Sequence, residues 1–524
     1  MVAEKYHGAG ISNIPPFFWR LSILFFLLLC FAAPTQAVAQ ATISVRSHGA
    51  KGDGKSLDTK AIQKAIDAAA KQGGGRVELP APGVYLSGTL HLRSNIDFHV
   101  AAGATLLGSP HIKDYDSIRW GHNVDRQPYH LLYADSCINL TISGKGLIDG
   151  NGEAFWKPYE KDAAGKMVTP RWLQAKPLKV SPLIEIYRCF NTTIRDVSIK
   201  TGGGWNLHLY DCDLAKVNGI NIDNNLYSPN SDGIDVTGSR DVMISDCFIR
   251  TCDDAICIKT TEDSRSAHRI TVTNCVLETL CVGLKLGCNE SNKDITDVTF
   301  SNCVINNSSR AIGLYVKDGG TYDRITISNI VANTNAPMIF NRPIQIMING
   351  LNEKSKPGTI RNVLISNFVC QTEGRILLTA YEGGIIENIT LRDIKLNYPM
   401  IEDPRPMVPR ARSNQWPKLA EHPEAPGALA AIVADNVRNL VVENVQIDWP
   451  RQPLPPLDWQ HPERIENGSM RVHKMDYNKA RQTEMSVFWG NNIQGGYLNS
   501  IMATASAPGL QKYVLQNAAI KVIN

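Results

Sequence analysis

Three aspartates in the middle of this 524-residue chain are spaced for joint chemistry: Asp232 in SPNSDGIDV (228–236), and the adjacent Asp253 and Asp254 in CDDAICIK (252–259). Carboxyl groups give, take and relay protons, so three on one patch suit general acid–base work or the holding of a hard cation such as calcium. Each motif runs into an alternation of apolar and other residues, the mark of a strand. Aligned on that alternation, DGIDVT (232–237), DAICIK (254–259), VGLKLG (282–287) and IGLYVK (312–317) put Ile234, Ile256, Leu284 and Leu314 in one inward column. Val236, Ile258, Leu286 and Val316 form a second. Asp235, Cys257, Lys285 and Tyr315 then face outward together, followed by Thr237, Lys259, Gly287 and Lys317. At the start of the strands Asp232 stacks on Asp254, with Asp253 one position earlier. Like charges so close repel, and the cluster is costly without a use or a counter-charge. Lys259, Lys285 and Lys317 line the same face and can offset that charge or hold an acidic substrate. A turn ladder of aspartates, or a calcium site, is the competing structural explanation.

Stacking of this kind needs a coiled chain whose turns lie side by side, and the surrounding sequence provides one. A pattern of two polar residues, an alternating apolar pair, an Asn, Asp or Gly, and a second apolar pair recurs in RDVMISDCFI (240–249), HRITVTNCVL (268–277), TDVTFSNCVI (296–305), DRITISNIVA (323–332), RNVLISNFVC (361–370), ENITLRDIKL (387–396) and RNLVVENVQI (438–447). Its marker residues are Asp196, Gly219, Asp246, Asn274, Asn302, Asn329, Asn367, Asp393 and Asn444. A period of about 26 residues with alternating β-branched side chains predicts an all-β, single-stranded right-handed parallel β-helix. Its rungs would lie about 4.8 Å apart, so an interior Asn or Asp can hydrogen-bond to the next copy. Asp58 is placed to cap a helix over Thr59–Lys71 with Ala61, Ile62, Ala65, Ile66 and Ala69 on one face, an N-terminal capping helix for the open end. Residues 109–131 and 152–182, which contain Trp120, His122, Arg171 and Trp172, and the insertion 399–427 break the rhythm and read as binding loops. The β-helix domain is expected over 40–450, with 451–524 a cap or tail.

On this solenoid SPNSDGIDV and CDDAICIK resemble the SPNTDG and GDDCIAIK motifs of glycoside hydrolase family 28, the polygalacturonase-like enzymes. GAKGDGKSLDTKAIQKAI (49–66), the following GGG (73–75) and GGWNLHLYDC (203–212) agree, and the resemblance covers residues 43–450. It implies inverting hydrolysis of glycosidic bonds in a pectic polysaccharide, with Asp253 as general acid and Asp232 and Asp254 as the bases acting on water, and with no metal or organic cofactor. An inverting pair stands about 6.5–9.5 Å apart to admit that water, which offset carboxylates on neighbouring rungs can satisfy. Asn230, Asp235, Lys259, Lys285, Tyr315, Lys317 and His208 are the expected substrate contacts, with Trp205 and His208 one rung before Asp232. Two departures stand out: Cys281-Val282-Gly283 replaces the usual Gly-His-Gly, and Tyr315-Val316-Lys317 replaces Arg-Ile-Lys. The missing arginine removes a bidentate grip on a galacturonate carboxylate. A rhamnogalacturonan-type linkage, or a neutral or branched oligosaccharide, therefore stands beside polygalacturonate as an expected substrate. A polysaccharide lyase and a non-catalytic carbohydrate-binding β-helix are the alternatives on the same scaffold.

The remaining features narrow location and partners. A composition 43% hydrophobic and 20% charged, with net charge +4, fits a globular protein and offers no basic tract for nucleic acid. Lys5 and Arg20 precede the apolar run Leu21–Ala33, and Ala37-Val38-Ala39 follows, so residues 1–39 read as a signal peptide. The run is shorter than the ~20 residues that span a bilayer. A secreted or periplasmic monomer without stable membrane insertion is the expectation. Twelve cysteines include Cys30 in that segment, so an odd number remains and at least one thiol is free. Cys247, Cys275 and Cys303 recur every 28 residues and read as stacked core thiols rather than metal ligands.

Overall fold

Alternating aliphatic residues make strands with one dry face, and a strand too short to bury that face alone must stack on its own repeats. The chain does this throughout. The computed structural model describes residues 42–118, 125–158, 173–336, 341–350, 354–372, 374–381, 383–398, 430–448, 460–464, 470–474, 486–504 and 511–523. Among them, 34 strands join in one continuous ladder of parallel pairings, the right-handed parallel β-helix expected. Residues 1–39, where a signal peptide is expected, Trp120, His122, Arg171, Trp172 and the 399–427 insertion lie outside the described residues. Among the described residues no helix is long and apolar enough to cross a membrane.

The wall that carries the acidic motifs is built from seven successive strands: β1 (Ile184–Tyr187), β2 (Leu207–Tyr210), β3 (Ile234–Thr237), β4 (Ile256–Thr260), β5 (Val282–Ser291), β6 (Arg310–Val316) and β7 (Arg342–Ile348). Ile234, Ile256, Leu284, Ile312 and Ile344 pair in register along it, all fully buried in the central core. Each such side chain contributes roughly 1.5–3 kcal/mol through burial. Cys247, Cys275 and Cys303 stack on an adjacent wall, since Phe248 pairs with Val276 and Val276 with Val304. All eleven described cysteines are free, and only Cys288 is partly exposed.

The marker residues correct one expectation. All nine adopt the left-handed conformation, with φ between 52° and 67°, and Asn274, Asn302, Asn329 and Asn367 are exposed at a corner rather than interior. The corner demands a positive φ, which Asn, Asp and Gly tolerate best. The amides still form a ladder: Asn329 Nδ2 donates to Asn302 Oδ1 at 2.9 Å and Asn367 Nδ2 to Asn329 Oδ1 at 3.0 Å. A second left-handed corner runs through Leu214, Asp241, Arg269, Asp297 and Arg324. Asn139, Asn191, Asn362, Asn388 and Asn439 hold this corner on other rungs, while on the central rungs Arg269 and Arg324 pair with Asp241 and Asp297, each at 2.6 Å.

The capping helix α1 spans Thr59–Lys71 and buries Ile62, Ala65, Ile66 and Ala69 as its spacing dictates. Asp58 does not cap it with its side chain. That carboxylate accepts instead from the Lys51 and Gly52 amides at 2.8 and 2.9 Å, tying down the preceding loop. At the other end the boundary at 450 is too early. Ser486–Ala503 pairs in parallel with Ala430–Asp448, and Gln511–Gln516 and Ala519–Ile523 pair with it in turn. Ser500, φ 51°, occupies the corner that Asn444 holds one rung before, so the pattern continues without its marker residue.

Candidate active site

The register of β3 to β5 is the one read from the alternation: Asp235 pairs with Cys257 and Cys257 with Lys285. On β6 it differs by two residues, with Lys285 opposite Gly313 and Gly287 opposite Tyr315. A slip of two preserves which residues point inward, so alternation alone cannot detect it. The 28-residue cysteine spacing does carry the right register, because it takes Val282 to Arg310, the pair observed. The consequence is chemical. Asp232, Asp254, Val282 and Arg310 form one column where the strands begin, stitched by Gly233 N to Asp254 O and Ala255 N to Val282 O, each 2.9 Å.

The three acids converge there. The Asp254 amide donates to Asp253 Oδ1 at 3.0 Å, and Asp232 feels the charges of both Asp253 and Asp254. This outer face is covered, not solvated: Asp232, Asp235, Asp253, Asp254, Lys259, Lys285, Tyr315 and Lys317 are all buried. Buried charge requires partners, and the lysines provide them. Lys259 Nζ lies 3.1 Å from Asp232 Oδ2 and 2.8 Å from Asp235 Oδ1, and 3.6 Å from the centroid of the Trp205 ring. Lys285 Nζ donates to Asp254 Oδ2.

These contacts drive the two register-equivalent acids apart. Burial raises the Asp232 carboxyl well above its usual range, the neighbouring Asp235 adds to this, and Lys259 only partly opposes it. Burial acts the same way on Asp254, but Lys285 and then Lys259 overcome it and hold that carboxyl below its usual range. Two carboxyl groups on adjacent rungs thus have opposite proton preferences. Lys259, balanced between Asp232 and Asp235, is held charged despite its burial.

Other expected contacts play different parts. His208 pairs across the ladder with Asp235, but both of its ring nitrogens are engaged, Nδ1 with Glu185 Oε2 at 2.9 Å and Nε2 with Thr237 Oγ1 at 2.8 Å. It supports the wall rather than offering a nitrogen to ligand. The Tyr315 hydroxyl donates to Gln345 Oε1 at 3.1 Å, and its ring packs with Leu280, Cys281, Val282 and Ala336. Lys317 Nζ donates to Asn289 Oδ1 at 3.2 Å. Asn230 is half-buried at a left-handed turn, φ 49°.

Several residues that the motif reading passed over join the site. Arg310 approaches Cys281 Sγ at 3.3 Å, and the register slip hid it. Arg126 NH2 donates to Glu185 Oε1 at 2.6 Å and its guanidinium stacks over Tyr210, 4.2 Å from the ring centroid. The burial of Glu185 opposes its ionisation, but His208 and Arg126 hold its carboxyl far below the usual range. Lys179, in the loop before β1, is buried beside Gly204; only the tertiary fold brings it here. Among the described residues, Asp253, Asp254 and Cys281 offer donor atoms within 4.8 Å of one another, the grouping on this face that could hold a metal ion. Lys285 on Asp254 and Arg310 on Cys281 already furnish positive charge there.

Comparison with known proteins places this geometry. The model of glycosyl hydrolases family 28 matches residues 75–405. The exo-poly-α-D-galacturonosidase of Dickeya chrysanthemi is 30% identical over 263 residues, 42% of this chain and 42% of that protein. The chain thus spans less than half the length of this curated relative. Among solved structures, an exopolygalacturonase from Thermotoga maritima aligns with a TM-score of 0.61 at 22% identity, covering 78% of this chain and 91% of that one. A family 28 exopolygalacturonase from Yersinia enterocolitica gives 0.54 at 17% identity, covering 93% and 79%.

Proposed function

The chain belongs to glycosyl hydrolases family 28, and from that footing we propose that it is an exported, inverting hydrolase of glycosidic bonds in a galacturonate-containing pectic polysaccharide or its oligosaccharides. The observation that carries the reading is the meeting of Asp232, Asp253 and Asp254 on two adjacent rungs, with Lys285 holding Asp254 ionised.

In this reading Asp253 gives its proton to the bridging oxygen as the bond from the anomeric carbon to that oxygen breaks. Asp254, already ionised, takes a proton from a water, whose oxygen bonds to the anomeric carbon from the opposite face and inverts its configuration, as the family resemblance implies. Oxygens of Asp253 and Asp254 come within 4.8 Å of each other, short of the roughly 6.5–9.5 Å of an inverting pair, so product stereochemistry is the deciding test. Asp232 orients that water, and Lys259 holds Asp232 in place. Buried, fixed charges stabilise the developing positive charge on the sugar more strongly than solvated ones. The relatives named as galacturonosidases favour a uronate-bearing substrate. The basic lining of Lys285, Lys317 and Arg310 supports the same choice, and the apolar run with its cleavage pattern in residues 1–39 supports export.

Asp253→Asn is expected to abolish release of reducing ends from polygalacturonate and rhamnogalacturonan oligomers while leaving the melting temperature within a few degrees of wild type. Retained turnover would overturn the assignment of the acid. NMR of the first product formed reports inversion directly, and an unsaturated product absorbing in the ultraviolet would mean a lyase instead.

A further inference from the structure

One basic group beside the catalytic acids is left without a task by the mechanism above. Lys179 is only 4% exposed, and its Nζ lies so close to Gly204 that a methyl group at that glycine would stand 3.1 Å away. The next residue, Trp205, carries Lys259 on its ring, so the two ammonium groups flank one stretch of backbone. The amine is within the fields of Asp125, Asp232 and Asp253, and burial still pushes its affinity for a proton down. Lys259 and Lys285 are paired with carboxylates, and Lys317 donates to Asn289. Among the described residues Lys179 makes no hydrogen bond and no ion pair. A simple counter-charge would have closed on one of those acids; a buried ammonium without an acceptor is otherwise expensive.

The same wall departs from the family 28 motif. Tyr315 stands where the resembled motif has an arginine, and its hydroxyl is spent on Gln345. We propose that Lys179 takes the carboxylate of a hexuronate residue in the bound saccharide, and is thereby a specificity-determining residue of this cleft. The assignment rests on the reading of the cleft as a pectic-saccharide site. A carboxylate supplies the acceptor that the described residues do not provide, in a charge-assisted hydrogen bond that a neutral sugar cannot match.

Calorimetry on the Asp253→Asn chain, which binds without turnover, tests this with trigalacturonate and its fully methyl-esterified form. With Lys179 present, the free acid is expected to bind more tightly than the ester. Lys179→Met should weaken the free acid about tenfold to a hundredfold and leave the ester within about twofold, while Lys179→Arg keeps the preference. Lys179→Gln serves if the methionine variant does not fold. Equal weakening of both ligands, no change in either, or equal affinity for acid and ester in the presence of Lys179 would each overturn the assignment. If the unsubstituted chain releases no reducing ends from any pectic oligomer, yet the Lys179-dependent preference persists, the hydrolytic reading falls and this one stands.

Discussion

Replacing Lys285 with methionine tests how the site holds its charge. Lys285 and Asp254 form a pair whose side chains are 11% and 3% exposed, and among the described residues Asp254 Oδ1 has no hydrogen-bond partner. Methionine keeps the length and apolar bulk of the lysine stem, so the loss is chiefly electrostatic. Removing one partner of a buried pair costs about 3–5 kcal/mol, because the other charge stays buried without compensation. The sign with pH follows from Asp254. Its depressed folded pKa contributes stability above the unfolded value, about 3.9, and this contribution is lost as pH falls through the folded pKa. Without Lys285, burial dominates and the folded carboxyl rises above its unfolded value, so Lys285→Met is penalised most at pH 7 and less at pH 4. Differential scanning fluorimetry at the two pH values should show a larger fall in melting temperature at pH 7. Turnover at pH 7 should fall about 10²–10⁴-fold as the ionised base is lost. An equal fall in stability at both pH values would refute the electrostatic account, and unchanged turnover would refute the role given to Asp254.

Two further outcomes follow from the geometry. Asp235→Asn removes a charge that raises Asp232, and it leaves Lys259 to Asp232 alone. Asp232 should therefore titrate at lower pH, and the acidic limb of the kcat/KM profile should move to lower pH; movement the other way sinks the idea. Asn329→Ala puts a residue poorly suited to φ 56° at an exposed corner and breaks the amide ladder to Asn302 and Asn367. It should cost about 2 kcal/mol in chemical denaturation, and Asn329→Gly distinctly less.

How far the site could be read in advance depended on which signal was periodic. The stacking of Asp232 on Asp254 and of Asp235 on Cys257 and Lys285 follows from side-chain alternation, and so do the buried positions of α1. Alternation is blind to even slips, which is why Tyr315 was aligned with Lys285 when it stands opposite Gly287. The Asn and Asp markers disclosed one corner of the coil because that corner needs a left-handed residue. The other corner carries Asn on several rungs but Leu214, Arg269 and Arg324 on central ones, residues no pattern would single out. The Ser500 corner hid a rung past residue 450 in the same way. Lys179 and Arg126 are brought to the wall from loops by the tertiary fold, and no local spacing records that; Glu185 is part of β1, opposite His208 on β2.

Asp232 and Asp254 hang from register-equivalent positions on β3 and β4, joined there by the bond from Gly233 N to Asp254 O. The gap between their backbones is therefore a lattice constant of the sheet, about 4.8 Å, and no loop sets it. Segments bordering the cleft can lengthen, shorten or change composition, and thereby admit a different glycan, while the spacing of the reacting groups is conserved by hydrogen bonding alone. Chemistry and selectivity are decoupled in such an architecture, and either can drift without retuning the other.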